Sequence, residues 1–269
     1  KKTPYRLCNE VDGIGFERAD ALAGSLGLRN DNFDRIMSGL CYVLTRNSAQ
    51  NGHVCLPREK LAAAGAELLG VSLEDSDAGV SELIRMGRLK YVMHEEVQMI
   101  YLSEAYDEEK YIAEKLVLID KMCISVDVQD VDRFIEREQA KSGMEYAYLQ
   151  KQAISDALRY GVMILTGGPG TGKTTVVRAL LHIFDSMGLK VALCAPTGRA
   201  AKRLSESTSC EAKTIHRLLE YGGDETGSHA HFQRNETNLL DEHAIIVDEA
   251  SMVDNALMAS LLRAVKPGA

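Results

Sequence analysis

The feature that most constrains the fold of this chain is a glycine-rich stretch that directly follows a short apolar run. The apolar run is VMIL, Val162 to Leu165, and the stretch is GGPGTGKTT, Gly167 to Thr175. Its four glycines and one proline offer almost no surface for packing, so a buried strand cannot continue through them. From Lys173 the apolar spacing is helical. The pattern therefore predicts a strand, a tight loop and a helix in succession.

The spacing inside this stretch is that of a phosphate-binding loop, with Gly167, four residues, and then Gly172, Lys173 and Thr174. Glycines let successive backbone amides turn toward one phosphate, and the helix that begins at the lysine adds its positive end. The lysine ammonium reaches the β- and γ-phosphate oxygens, and the threonine hydroxyl is offered to Mg²⁺. A flexible linker would need neither the strand before it nor the helix after it. The expected nucleotide-binding residues are Gly168, Pro169, Gly170, Thr171, Gly172, Lys173, Thr174 and Thr175.

An acidic pair follows a second apolar run. The stretch AIIVDEAS, Ala244 to Ser251, places Asp248 and Glu249 at the end of a predicted strand. In phosphoryl-transfer sites the first carboxylate of such a pair holds Mg²⁺, and the second orients and activates a water molecule. A base beside the metal ligand favours hydrolysis over transfer to a small acceptor. We therefore expect a nucleoside triphosphatase rather than a small-molecule kinase.

Charge is unevenly distributed along the chain. The formal net charge is −8, which argues against a protein that coats duplex DNA by bulk electrostatics. From Thr166 to Glu220, however, eight basic residues oppose four acidic ones, so this segment carries +4 and the rest of the chain −12. The basic charge thus lies in the same part of the chain as the phosphate-binding loop.

Two stretches inside this basic segment predict contacts with single-stranded nucleic acid. APTGRAAKRL, Ala195 to Leu204, follows a predicted strand and opens a helix whose amides, with Thr197, can hold a phosphate near Arg199. KTIHRLL, Lys213 to Leu219, is the second and contains His216. Each residue alone would more often be solvated or structural, and no row of aromatic residues for base stacking is visible. Their clustering nevertheless indicates a track for a single strand.

The sequence shows neither a targeting signal nor a cysteine motif. No apolar run approaches the roughly 20 residues of a membrane span, and the start, KKTPYRLC, lacks the apolar core of a signal peptide. The six cysteines include no C-x-x-C pair, so neither a zinc site nor a disulfide framework is indicated. We expect a cytoplasmic protein with no membrane partner.

The first 30 residues contain a short glycine motif between apolar helical spacings. In NEVDGIGFERADALA, Gly13 and Gly15 permit positive φ and let a phosphate approach bare backbone amides. This arrangement is typical of a helix-hairpin-helix element that grips the DNA backbone without reading sequence. A plain helix-helix turn with a glycine cap explains the same residues equally well.

The next segment, residues 31–103, reads as a winged-helix-like module with a hairpin. The apolar period changes from helical to two after Gly87, and the hairpin turn is expected near Glu95. The predicted elements are helices from Phe33 to about Asn47, Pro57 to Leu69 and Ala78 to Met86, and a hairpin from Leu89 to Leu102. Residues 104–143 then read as a charged helical linker that ends near Gly143.

From residue 144 to 269 short strands alternate with helices, which predicts a parallel sheet covered on both faces with ligands at the carboxyl ends of its strands. The predicted strands are Val162 to Leu165, Lys190 to Cys194 and Ala244 to Val247. The predicted helices begin at Lys173, Gly198 and Thr214.

Four stretches in this order and spacing, GGPGTGKTT, APTGRAAKRL, TIHRLL and IIVDEASMVD, resemble motifs I, Ia, Ib and II of the RecD-like superfamily-one DNA helicases. That family includes the alpha subunit of exodeoxyribonuclease V and its stand-alone relatives. PYRL (Pro4 to Leu7), VDGIGFERAD (Val11 to Asp20) and LPRE (Leu56 to Glu59) resemble the region that precedes the motor in the stand-alone members. The resemblance covers nearly the whole chain and implies an incomplete RecA-like P-loop domain after small, mainly helical modules.

The resemblance implies a 5′ to 3′ DNA helicase that uses ATP and Mg²⁺ and acts on single-stranded DNA or a duplex/single-strand junction. Lys173 and Thr174 would bind phosphate and Mg²⁺, with Asp248 as metal ligand and Glu249 as base. Gln152 would recognise adenine, although Gln150 is an equally near candidate that cannot share its helix face. The implied DNA-binding residues are Thr197, Arg199, Thr214, His216, Gly13 and Gly15.

The sequence departs from this family at its end, because it stops at LLRAVKPGA, Leu261 to Ala269, before the strand expected to carry the sensor motif. The resemblance places an arginine finger in a second motor domain, which this sequence does not include. Such an arginine accelerates phosphoryl transfer by on the order of 10³ or more. We therefore expect that the 269-residue chain alone neither unwinds DNA nor turns over ATP appreciably. The alternative function is a regulatory P-loop ATPase that binds DNA or a protein partner without translocating.

Overall fold

The computed structural model describes residues 5, 15–25, 33–222 and 231–269. The chain divides into two compact units, residues 1–108 and residues 109–269. Gly13, most of PYRL and the first residues of VDGIGFERAD lie outside the described residues. The unit boundary falls within a helix, and the division into four domains expected from the sequence stays a prediction.

Helices and strands are numbered in chain order. The α-helices are α1 (Phe16–Ser25), α2 (Phe33–Asn51), α3 (Arg58–Leu69), α4 (Leu73–Arg85), α5 (Ser103–Met122), α6 (Val128–Ser142), α7 (Tyr148–Arg159), α8 (Lys173–Ser186), α9 (Gly198–Thr208), α10 (Ile215–Leu218) and α11 (Asn255–Ala264). The strands are β1 (Cys55–Pro57), β2 (Leu89–His94), β3 (Val97–Leu102), β4 (Val191–Ala195), β5 (Ala212–Thr214), β6 (Tyr221–Gly222), β7 (His231–Phe232) and β8 (Ala244–Val247). None of the helices in the described ranges is long and apolar enough to cross a membrane.

The first unit packs α2, α3 and α4 against an antiparallel sheet of order β1-β3-β2. Leu40, Leu61 and Leu83 from the three helices and Ile100 from the sheet are fully buried in one core. The hairpin predicted from the alternating pattern is confirmed, with its turn at Glu95 and the next residue. Three helices and a hairpin are the elements expected of a winged-helix-like module.

One helix of this unit begins earlier than its apolar spacing predicts. We expected a start at Ala78, but α4 begins at Leu73, where the Ser72 hydroxyl accepts a hydrogen bond from the Asp75 amide. Capping by serine satisfies an amide that would otherwise lack a partner at the helix start. The exposed first turn, from Leu73 to Asp75, precedes the part of the helix that packs on the core.

At the start of the chain, α1 is joined to α2 by charge and ring contacts. Arg35 donates two hydrogen bonds to the carboxylate of Asp20, which holds the pKa of that carboxyl below its usual range. Phe16 stacks between Tyr5 and Tyr42. These contacts fix the helix that follows Gly15 onto the body of the first unit.

The second unit is built on a parallel sheet of order β5-β4-β8, which confirms the mixed α/β class with a parallel sheet. The register pairs Val191 with Ala244 and Leu193 with Ala212. The predicted helix starts at Lys173 and Gly198 are confirmed. Thr214 is the N-terminal cap of α10 and not its first residue.

The strand predicted at Val162 to Leu165 is wrong. This run belongs to no strand, and Ile164 is 85% exposed. A strand is defined by its hydrogen-bonded neighbours, and within residues 33–222 and 231–269 no strand pairs with this run. Apolar composition signals burial but supplies no partner strand.

Candidate nucleotide and single-strand site

The glycine-rich loop takes a backbone shape that only glycine adopts easily. Gly170 has φ 75° and Gly172 has φ 85°, both in the left-handed region. Gly172 also caps α8, and a β-carbon there would overlap the side-chain amide nitrogen of Gln150. The left-handed conformation therefore favours glycine at position 172, and the end of the Gln150 side chain occupies the space that a β-carbon would take.

Lys173 folds back over this loop. Its ammonium donates hydrogen bonds to the carbonyl oxygens of Gly167 and Gly168, the latter at 2.9 Å. The Thr171 hydroxyl donates to the same Gly168 carbonyl at 2.9 Å. The positive charge is thereby held at the loop and beside the first turn of α8, where the helix dipole is positive.

The loop fits a phosphate group with Mg²⁺. The space around Gly168 and Gly170 is open, because a β-carbon at either position would meet nothing within 4 Å. The loop residues from Gly167 to Thr171 are exposed, as is Thr174, while Thr175 is half-buried. Exposed backbone, a cation, a helix start and a hydroxyl are the donor set that phosphate and its magnesium ion use.

The acidic pair is anchored at the carboxyl end of β8. The Asp248 amide donates to the Cys194 carbonyl at 2.9 Å, which carries the parallel pairing one residue past the strand. Glu249 is left-handed at φ 52° and donates its amide to the Asp248 carboxylate at 3.0 Å. A left-handed non-glycine residue is strained, and such strain is concentrated at functional sites. Both side chains are exposed.

Beneath this anchor the Cys194 thiol belongs to the core. Burial raises its pKa to about 12, so it remains a neutral thiol at physiological pH. The residue that accepts the hydrogen bond from the Asp248 amide is thus part of the apolar core and carries no thiolate.

Helix packing relates the loop to the acidic pair. Val177 and Leu181 of α8 share one apolar cluster with Leu193 of β4 and Ile246 of β8. Val177 lies one turn after Lys173, and Ile246 lies two residues before the acidic pair. Helix α8, which begins at the loop, therefore packs on the sheet whose strand β8 ends at the acidic pair.

The two glutamines before the loop have different surroundings. Gln152 is exposed. The side-chain nitrogen of Gln150 lies against Gly172, and its side-chain oxygen accepts a hydrogen bond from the Ala147 backbone amide at 3.0 Å. The geometry thus favours Gln150, the candidate that spacing alone left open. The adenine contact itself stays a prediction.

The candidate DNA-binding residues of this unit follow adjacent parallel strands. The Thr197 hydroxyl accepts from the Ala200 amide at 3.2 Å after β4, and the Thr214 hydroxyl accepts from the Arg217 amide at 3.1 Å after β5. Both threonines therefore cap helices at the edge where Asp248 also lies.

The remaining DNA-binding candidates are surface residues in two different units. Arg199 and His216 are exposed in the second unit. Gly15 is exposed in the first unit, where its carbonyl accepts from Arg18 and Ala19 at the start of α1. Gly13 lies outside the described residues.

Sequence comparison identifies the protein group to which these motifs belong. Residues 1–55 match the family model of the ATP-dependent RecD2 DNA helicase HHH domain, and residues 150–269 match that of an AAA domain. The chain is a relative of the RecD-like helicases. The first match spans the Gly13 and Gly15 motif, and the second spans the loop and the acidic pair.

Individual relatives agree with this assignment. The RecD-like chain is 35% identical over 269 residues to the ATP-dependent RecD2 DNA helicase of Deinococcus radiodurans, covering 97% of this chain and 36% of that protein. It is 31% identical over 253 residues to the RecBCD enzyme subunit RecD of Mycolicibacterium smegmatis, covering 85% and 44% respectively. The chain thus spans less than half the length of these relatives.

Proposed function

We propose that this chain forms the ATP-binding part, with adjoining DNA-binding surfaces, of an ATP-dependent DNA helicase used in DNA repair or recombination. The proposal is supported by the packing of α8, which begins at the Lys173 loop, on the parallel sheet whose strand β8 ends at the Asp248–Glu249 pair. The names of its relatives favour a helicase over a regulatory ATPase without translocation.

Each residue of the nucleotide site has a role that follows from its position. Lys173 and the loop amides hold the phosphates, and Thr174 and Asp248 would hold Mg²⁺. Glu249 orients a water molecule and accepts its proton. The bound Mg²⁺ would neutralise charge on the phosphate oxygens. Gln150 is the residue that we assign to the adenine.

Single-stranded DNA, or its junction with a duplex, is the proposed substrate. Thr197, Arg199, Thr214 and His216 would contact the strand near the carboxyl edge of the sheet, and the 5′ to 3′ direction rests on the family resemblance. Gly13 and Gly15 are proposed to contact the DNA backbone from the first unit. A cytoplasmic location belongs to the same proposal.

The nucleotide site can be tested with the 269-residue chain itself. A fluorescent ATP analogue with Mg²⁺ should bind the wild-type chain, and Lys173→Ala should weaken binding at least about tenfold, because hydrogen bonds to charged groups are lost. Lys190→Ala is the matched control, since Lys190 is exposed at the amino end of β4, on the opposite edge. Equal affinity of the Lys173→Ala and Lys190→Ala variants would contradict the proposed site.

A further inference from the structure

The rings of His216, Tyr221 and Phe232 form one cluster on the second unit. The ring centroids of His216 and Tyr221 lie 5.6 Å apart at 88°, and those of His216 and Phe232 lie 5.7 Å apart. The rings of Tyr221 and Phe232 are 4.9 Å apart. These distances are typical of favourable aromatic pairs. Every ring thus contacts the other two.

The cluster is anchored on one side and open on the other. Phe232 is half-buried and packs against the core that contains Ile215, Leu218 and Leu219. Tyr221 is 52% exposed, and His216 is exposed as well. The exposed ring of Tyr221, held beside the half-buried ring of Phe232, leaves an aromatic face available to a ligand.

The backbone in front of Tyr221 is strained and held in place. Glu220 has φ 54°, in the left-handed region, and its carboxylate pairs with Arg234 at 3.0 Å. Arg234 also donates to the Leu239 carbonyl at 3.1 Å. Tyr221 pairs with Phe232 across the β6–β7 ladder. The ion pair of Glu220 and the pairing of Tyr221 with Phe232 together fix the direction in which Tyr221 leaves the backbone.

The cluster lies next to the residues proposed to contact the single strand. His216 is two residues after Thr214, and Lys213 and Arg217 beside it are exposed cations. The acid nearest in sequence, Glu220, is neutralised by Arg234. An aromatic surface beside cations is the combination that proteins use to bind single strands, because each base has a face that can stack.

We propose that Tyr221 and His216, supported by Phe232, form a stacking platform for one unpaired base of a single-stranded nucleic acid. The inference rests on the proposed function, which supplies the strand. Stacking requires no particular base, so the platform would bind without sequence preference. A cluster that only braces the β6–β7 hairpin would make no contact with a base.

The Tyr221→Trp variant would report stacking directly, because the chain contains no tryptophan of its own. The emission of this variant should be quenched when an oligothymidylate of about 15 nucleotides saturates the protein, as judged by the anisotropy of a labelled strand. Tyr160→Trp is the matched control, since Tyr160 is equally exposed at 52% but lies before the run that leads to the loop. The emission of the control variant should not change.

Two further substitutions separate stacking from bracing. Tyr221→Phe keeps the ring and should retain the affinity for the oligothymidylate. Tyr221→Leu keeps apolar contact with Phe232 but removes the ring, and affinity should fall about tenfold. A bracing role predicts that Tyr221→Leu binds the strand as the wild type does, once an unchanged melting temperature shows that the variant is folded.

The outcomes distinguish this inference from the proposed function. If the oligothymidylate binds but the emission of the Tyr221→Trp variant is unchanged, or if Tyr221→Leu retains full affinity, the stacking platform is wrong and the helicase proposal stands. If the wild-type chain binds no oligothymidylate, the proposed contacts with the strand and the platform both fail. Quenching in the Tyr221→Trp variant but not in the Tyr160→Trp control, with loss of affinity in the leucine variant, supports both.

Discussion

The amide group of Gln150 makes two contacts that can be separated by mutation. Its oxygen accepts a hydrogen bond from the Ala147 amide, and its nitrogen lies against Gly172 of the phosphate-binding loop. The oxygen caps α7, whereas the nitrogen is the donor that lies at the loop and that we propose to contact the adenine. Replacing the side-chain amide by a carboxylate keeps the acceptor and removes the donor.

Gln150→Glu should therefore weaken the binding of ATP more than that of GTP, since the added negative charge beside the loop repels the phosphates of both nucleotides but only the adenine would lose a partner. Gln152→Glu introduces the same charge two residues away on an exposed position and should have little effect. Competition of both nucleotides against a labelled ATP analogue measures the two affinities. If the Gln152 variant shows the larger loss, the assignment made from the sequence is right and that to Gln150 is wrong.

Close packing of the helices in the first unit depends on glycines at their contacts. A β-carbon at Gly65 of α3 would lie 2.5 Å from Leu40 Cδ2 and 2.6 Å from the Ser76 hydroxyl oxygen. Leu40 and Ser76 are fully buried, and Ser76 is fixed by a hydrogen bond to the Ala62 carbonyl. Neither neighbour can move away without disturbing the core.

Gly65→Ala is expected to lower the free energy of unfolding of the first unit by about 1–2 kcal/mol, because overpacking outweighs the gain in helix propensity. Gly24→Ala in α1 is the control, since a β-carbon there meets nothing within 4 Å, and it should stabilise the unit by about 0.5–1 kcal/mol. Urea titrations followed by circular dichroism measure both changes. Stabilisation by Gly65→Ala would contradict the tight contact.

The chain contains two units with separate cores, and the proposed nucleotide site lies in the second of them. A ligand that binds the folded form stabilises it by about 2.7 kcal/mol at one hundred times its dissociation constant. Calorimetry should therefore show two transitions, of which ATP with Mg²⁺ raises only that of residues 109–269, by about 5–10 °C.

Two variants assign each transition to one of the two units. Gly65→Ala should lower the transition of residues 1–108, and Lys173→Ala should reduce the shift caused by ATP to about half or less, because binding is at least about tenfold weaker. A shift of both transitions by the nucleotide would show that the stabilities of the two units are coupled. No shift in the wild-type chain would contradict the proposed nucleotide site. Whether the 269-residue chain turns over ATP by itself stays a prediction.

The sequence by itself determined the features that depend on short stretches of chain. The glycine spacing predicted the loop and the start of α8 at Lys173, because left-handed backbone and helix initiation are local properties. The alternating pattern after Gly87 likewise predicted the β2–β3 hairpin. Such elements are specified by residues that are neighbours in the chain.

Only the tertiary structure decided features that require distant residues to meet. The run from Val162 to Leu165 has the composition of a strand but is not one, because pairing depends on another segment. Gln150 was separated from Gln152 by the approach of Gly172, 22 positions further along. Phe232 of β7 contacts the rings of His216 and Tyr221, although it lies later in the chain. Contacts between distant segments follow from the packing of the whole chain, which local spacing does not encode.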